Sequence, residues 1–505
     1  MLLLLLLVLA GGVYYAAVAS KPVHQQPVES ALVAANSPSA DSKRQAFGPA
    51  APQAEQTAPQ AEAPSKKETA TNEPHAAEPK IAAKLAETID TATPVPSKPA
   101  AAMPEKPPVE VAAATASSQP LGLYGERTRV DREEFVASVG GTPVSEKAVA
   151  AGLEWLARHQ AEDGHWGPDC LGEDGSRCEK GHPCTGARGG PYEAALTGLA
   201  VLAFQAGGHY AFNGKPYSDT VRRGLDWLAA RQGPNGEILG SANHVSQDAA
   251  GAVHYDQHYM YEHAIATFAL AEACAVAQAA KRHPDEKHLS AATKAVHFIE
   301  EQQHNDGGWR YTPEKALPSD ASVSGWAMLA LKTAKEANLQ VQDATNSHMT
   351  AFFGRLADPL TGRTHYQGTS YLTHATTGVG MMVDEFIKHQ PESEFVRLGA
   401  AYLADEAEAG WGKDQKRESD FYLWYNCTLA MFMAGGDTWD RWNNVIRDHL
   451  ISLQIQGTGC DRGSFEPNDR WGSTGGRIYS TALGVLSLEV YYRFTREKAA
   501  TEEKK

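Results

Sequence analysis

The densest group of side chains able to do chemistry is HYDQHYMYEH, His254 to His263. Read as a helix, it places His254 and His258 four residues apart on one face and His258 and Glu262 likewise. Two imidazoles and a carboxylate then converge where a metal ion would sit. Tyr255, Tyr259 and Tyr261 are interleaved with them. The plainer reading makes these tyrosines a cavity rim and leaves the histidines, His263 included, as hydrogen-bond partners. Two carboxylates stand alone, Asp320 in PSDAS and Asp420 in ESDFY. A single Asp ahead of an apolar run is first of all a helix N-cap, and a catalytic role for either is the alternative. His365, Tyr371 and His374 could join the same rim, while Trp424 and Tyr425 either pack or line a cavity. No cofactor is implied by these residues.

The elements that must position them form a repeat. GLEWLA from Gly152 with Gln160, GLDWLA from Gly224 with Gln232, and AVHFI from Ala295 with Gln303 recur at a step of about 70 residues. Each is amphipathic, with apolar residues such as Val149, Leu153 and Leu156 at helical spacing. Each is followed by a turn of one design: Asp163-Gly164-His165-Trp166, Asn235-Gly236-Glu237-Ile238, Asp306-Gly307-Gly308-Trp309. Asp or Asn bonds the backbone locally, Gly accepts a positive φ, and the large apolar residue folds back as a clasp. A second, more apolar helix then begins near Tyr192, Tyr261, Asp320, Tyr371, Tyr422 and Tyr479, and the last three amphipathic partners start near Asp343, Glu394 and Thr438. Six outer and inner pairs predict a closed ring rather than an open solenoid, because Tyr479 to Phe494 is too apolar for the polar cap that a solenoid end needs.

Composition bounds the rest. Residues 21–121 are rich in Ala, Pro and Glu and cannot bury enough surface to order, so they read as a linker. Leu2 to Ala19 is an apolar run just long enough to cross a bilayer core of ~30 Å. Segment 1–20 is therefore a retained signal anchor or a cleaved signal peptide, with Ala17-Val18-Ala19 as the small-x-small site. Either places the body outside the cytoplasmic membrane, periplasmic when tethered. Residues 122–142 connect, 143–496 form the body, and 497–505 are a charged tail. A net charge of -15 with no concentrated basic surface excludes a nucleic-acid partner.

Cys274 and Cys427 fall in apolar helices and read as buried small hydrophobes. Cys170, Cys178, Cys184 and Cys460 fall in turns, and in an exported chain disulfides are the default for them. Three follow the first outer helix and Cys460 follows the sixth, so a closed ring makes them neighbours. A bridge from Cys460 to one of the three would staple the ring shut. A structural zinc site in the loop that also holds His182 is the alternative.

With their Gln-x-x-Asp-Gly-x-Trp turns and alternating helices, these segments resemble the terpenoid cyclase and protein prenyltransferase superfamily. MYEHAIATFALAEA and DGGWRYTPEKALPSDASVSGWAMLALK, from Met260 and Asp306, resemble bacterial prenyltransferase and squalene oxidase repeat proteins of unassigned activity. The resemblance implies an all-α (α/α)6 toroid of six hairpins. It places the inner-helix amino ends, including Tyr261, Tyr422 and Tyr479, at the mouth of a central cavity. The family's chemistry does not follow. No Asp-Asp dipeptide supplies the cyclase acid. Ser322 and Leu423 stand where prenyltransferases put two zinc ligands, Cys and His. The expectation is a tethered toroid that binds a protein, peptide or lipid without those motifs. The alternatives are a diverged enzyme acting on an isoprenoid or other apolar substrate, and a structural envelope component.

Overall fold

The computed structural model describes residues 122–496, apart from 172–177, 179–182, 243, 250, 316–317 and 413–416. The apolar segment 1–20, the linker 21–121 and the tail 497–505 lie outside the described residues. Among those described, no helix is long and apolar enough to cross a membrane.

A 3-10 turn at Gly122–Thr128 and α1 (Arg132–Ser138) lead into six hairpins, each an outer helix followed by an inner one. The pairs are α2 (Pro143–Arg158) with α3 (Glu193–Ala206), α4 (Ser218–Ala230) with α5 (Tyr259–Ala279), and α6 (Glu286–Glu301) with α7 (Ala321–Glu336). They continue as α8 (Asp343–Leu356) with α9 (His374–Phe386), α10 (Glu394–Trp411) with α11 (Phe421–Ala434), and α12 (Gly436–Leu453) with α13 (Gly472–Leu488), before the short α14 (Val490–Arg493). Each inner helix packs on the next, α13 returns to α3, and α12 meets α2. The result is the expected all-α (α/α)6 toroid. Small residues let the inner helices pack on every side, and in α3 all fourteen residues are buried.

One device repeated around the ring sets the hairpins in register. In four of the six hairpins the glutamine after the outer helix donates from Nε2 to the carbonyl of the turn glycine and to a carbonyl of the next outer helix. Gln160 reaches Gly164 O at 2.8 Å and Thr220 O at 2.9 Å; Gln303 reaches Gly307 O and Thr345 O, both at 2.9 Å. The last repeat does the same to the first, since Gln454 donates to Gly463 O at 2.9 Å and to Ala148 O at 2.7 Å. Gly463 holds φ +86°, and a Cβ there would lie 2.4 Å from Ala151 O. The turn thus docks backbone to backbone on α2, which only glycine permits. Trp166 and Trp309 fold back and donate from Nε1 to Leu156 O and Ile299 O, each at 2.8 Å.

The end of the bore at the carboxyl ends of α3 and α5 is sealed. Arg127, on the segment expected only to connect, donates from Nη1 to Glu272 Oε1 at 3.0 Å and Gln205 O at 3.2 Å, and from Nε to Arg493 O at 2.9 Å. Arg493 lies 3.7 Å from Glu272 Oε2, and its guanidinium stands over the rings of Phe268, Tyr425 and Phe494.

Candidate functional site

The opposite mouth, at the amino ends of the inner helices, gathers phenols and charges. Asp320 caps α7, accepting from Ser322 N at 2.9 Å and Val323 N at 3.0 Å, as its place before an apolar run predicts. It also accepts from Ser322 Oγ at 2.6 Å and pairs with Arg310 at 3.3 Å. Burial pushes its carboxyl above the ordinary range against these bonds. Tyr261 hydroxyl meets Ser322 Oγ at 2.6 Å, Tyr311 bonds Tyr366, and Tyr366 stacks on Tyr371, which is 39% exposed.

A second group adjoins it. Asp420 caps α11, accepting from Leu423 N at 2.9 Å, and pairs with Arg470. Asp469 accepts from Phe421 N and Trp471 N, both at 3.1 Å. Burial, with Asp420 nearby, lifts the Asp469 carboxyl to about 6. Burial, and after it Asp320 for Tyr422 and Asp469 for Tyr479, raises both phenols well above their usual value. The Tyr422 hydroxyl has no hydrogen-bond partner among the described residues.

HYDQHYMYEH is not one helix. His254 lies on β2 (Val253–Tyr255), which pairs antiparallel with β1 (Val245–Gln247) and ends before α5. His258 is the N-cap residue of α5. His254 faces Asp248 at 3.2 Å and His258 faces Asp256 at 3.1 Å, so the shared helical face that would join them to Glu262 does not exist. An exposed hairpin, with Asp and Gly at its turn, wins over helical periodicity here.

Glu262 is fully buried. Its Oε2 accepts from Ala194 N at 2.8 Å and Gly240 N at 3.1 Å, so it holds the amino end of the neighbouring inner helix, and its Oε1 lies 2.7 Å from His244 Nε2. Burial raises its pKa, with His244 opposing. His263 accepts from Ile238 N at Nδ1 (3.1 Å) and donates from Nε2 to Ala295 O (3.1 Å). Thr197, Ser324 and Thr481 accept the equivalent N–H of Trp166, Trp309 and Phe465, so His263 fills a structural position of the repeat. Burial drives its pKa down to about 3.

Other candidates disperse. Tyr259 packs against Tyr255 and Phe298. His365 sits beyond β4 (Arg363–Thr364), which pairs with β3 (Ala357–Asp358), and bridges to Leu372. His374 turns outward, 2.9 Å from Glu406 and stacked on Tyr402 of α10. Trp424 is packed among Trp411, Phe421 and His449. Cys274 and Cys427 are buried in inner helices. No disulfide joins any of the six cysteines, but Cys178, Cys184 and Cys460 come together as neighbours, whereas Cys170 lies by His165 and Asp169. Arg310, Tyr311, Tyr366, Asp469 and Arg470 were not picked out from the sequence. The signal available for them was position, since each lies in a turn leading into an inner helix.

Residues 134–275 match the family model of the squalene-hopene cyclase C-terminal domain. The superfamily resemblance therefore holds, carried by the first two repeats. No curated protein matches the chain. Similar solved structures include the α-1,6-mannanase GH76A from Salegentibacter sp. HEL1_6, at 12% identity and TM-score 0.45, covering 69% of this chain and 98% of that one. A type II terpene cyclase, MstE from Scytonema, is similar at 11% identity and TM-score 0.41, covering 69% and 97%. A protein from Actinoplanes is similar at 17% identity and TM-score 0.39, covering 69% and 99%.

Proposed function

We propose that the toroid binds a peptide or protein segment at its phenol-lined mouth, held outside the cytoplasmic membrane by the apolar segment 1–20. The observation that carries this reading is the makeup of the mouth. Tyr371 offers an exposed face, and Arg310 and Arg470 stand partly exposed beside carboxylates. Aromatic faces with charged neighbours suit a peptide. A lipid would want an apolar chamber, and the far end of this bore is closed by Arg127, Glu272 and Arg493. The chemistry of the family candidates also recedes, because Asp320, Glu262 and His263 already have their polar atoms engaged.

Full-length protein is screened on an immobilised random-peptide array, with Tyr371→Ala and Arg470→Ala alongside. Selective capture lost in both variants is the expected result. Isoprenoid co-purifying at stoichiometric amounts from native membranes, and released by the same substitutions, would overturn it.

One feature favours the alternative of a diverged enzyme, namely Asp469 beside the start of α11, bonded to Phe421 N and Trp471 N, its carboxyl lifted to about 6 by burial with Asp420 nearby. Such an acid is too weak to protonate an alkene, so this alternative narrows to transfer or other acid–base chemistry. Loss of turnover in Asp469→Asn, on any substrate found, would favour it.

A further inference from the structure

At the seam where the sixth hairpin meets the first, four side chains from three chain segments point at one spot. His159 comes from the end of α2, Cys178 and Cys184 from the loop leading to α3, and Cys460 from the turn between α12 and α13. The ligand atoms all lie within 4.8 Å of one another. His159 Nε2 is 3.7 Å from Cys178 Sγ, 3.4 Å from Cys184 Sγ and 3.3 Å from Cys460 Sγ. We propose that these residues form a Cys3His zinc site that clasps the ring shut.

Three features carry this. Zinc bonds of about 2.3 Å to sulfur and about 2.0–2.1 Å to nitrogen, at tetrahedral angles, put each nitrogen and sulfur roughly 3.5–3.6 Å apart. The three approaches straddle that value. One imidazole nitrogen has one lone pair and cannot serve three thiols by hydrogen bonding, whereas a central cation accounts for all three at once. The tautomer is also set for a ligand. His159 Nδ1 donates to Trp155 O at 2.8 Å, so the proton is on Nδ1 and the lone pair of Nε2 faces the sulfurs.

The surroundings hold the set in place. Trp155 stacks on the imidazole with ring centroids 4.3 Å apart. Cys184 N donates to Cys178 Sγ at 3.3 Å, a bond that favours thiolate. Arg158 donates to Cys460 O at 3.2 Å and Arg462 O at 3.1 Å, fixing the turn and setting a cation beside a site whose net charge with zinc is negative. Arg477, fully buried, donates to Thr185 O at 3.0 Å from Nε and to Ser464 Oγ at 2.9 Å, which ties the Cys184 loop to the last repeat. Four protein ligands leave no open position, so the site is structural rather than catalytic. Cys170 is outside it.

The test uses the full-length chain purified without chelator or added reductant, with metal measured by plasma mass spectrometry and cysteines mapped under non-reducing conditions. The expected result is one zinc per chain with Cys178, Cys184 and Cys460 outside any disulfide. Cys170→Ser keeps that stoichiometry, while Cys184→Ser and His159→Gln each lose roughly tenfold or more in zinc affinity against a chromophoric competitor. If those two variants fail to fold, cobalt substituted into the wild-type chain reads the ligands directly. Strong thiolate-to-cobalt charge transfer with a tetrahedral visible spectrum is expected. A folded chain without zinc, a disulfide joining any two of the three cysteines, or a cobalt spectrum lacking thiolate bands would each overturn the proposal.

Discussion

The seal at the closed end of the bore should reveal itself through its charges. Arg127 and Glu272 meet at 3.0 Å with both side chains at 0% exposure, and Arg493 is 3.7 Å from the other carboxylate oxygen. Removing one partner of a buried pair strands the other, at about 3–5 kcal/mol. Arg127→Met keeps the stem and leaves Glu272 with Arg493. Glu272→Gln leaves two guanidiniums with no carboxylate between them, so it should cost more. Glu489 offers partial relief, because burial holds its carboxyl well above the ordinary range and Arg493 and Arg132 lie close enough to draw it into ionising. Unfolding entropy of about 2.1 cal/mol/K per residue over roughly 370 residues is ~0.8 kcal/mol/K, which turns 3–5 kcal/mol into a fall in Tm of about 4–6 °C. Scanning calorimetry of both single variants and of Arg127→Met with Glu272→Gln tests this. The double variant should lose less than the sum of the singles by about 0.5–3 kcal/mol. Singles within 1 °C of wild type, or strict additivity, would refute the reasoning.

Three further outcomes follow from the same geometry. Gly463→Ala forces a Cβ to 2.4 Å from Ala151 O at φ +86°, so it should destabilise by about 1–3 kcal/mol or more in denaturant unfolding, with an equal effect from Ala at Gly164, whose Cβ would meet Arg223 O at 2.4 Å. His263, pushed down to about 3 in the fold from an ordinary value of 6.5, binds its proton only after unfolding. Wild type should therefore lose roughly 4 kcal/mol as pH falls from 6.5 towards 3, a slope that His263→Gln lacks in urea titrations. Asp469 runs the opposite way: raised to about 6, it holds its proton more tightly folded than unfolded, so stability declines as pH rises from about 4 to 6, and Asp469→Asn should flatten that segment.

The sequence made the ring legible because the ring is built from a repeated local device. Gln160, Gln232 and Gln303, each four residues ahead of a turn glycine, are visible as a pattern, and each clamp reaches only to the next hairpin. Gln454 extends the pattern to Ala148, 306 positions away, and this closure follows once the repeat count is known. The seam and the mouth were less legible. Cys460 could be placed beside Cys178 and Cys184 from topology alone, but His159 could not, since it occupies the position before a clamp glutamine that Arg231 and Gln302 fill in other repeats. His254 and His258 misled for the converse reason, because their spacing has the helical period while the turn chemistry of Asp248 and Gly251 makes a hairpin. Chemistry at this mouth depends on repeats that are not neighbours meeting across the bore, as Trp326 of α7 meets Tyr422 of α11 with ring centroids 6.4 Å apart. A period read along the chain reports what each hairpin does to its neighbour, and carries no record of which side chains its copies present to one another across the ring.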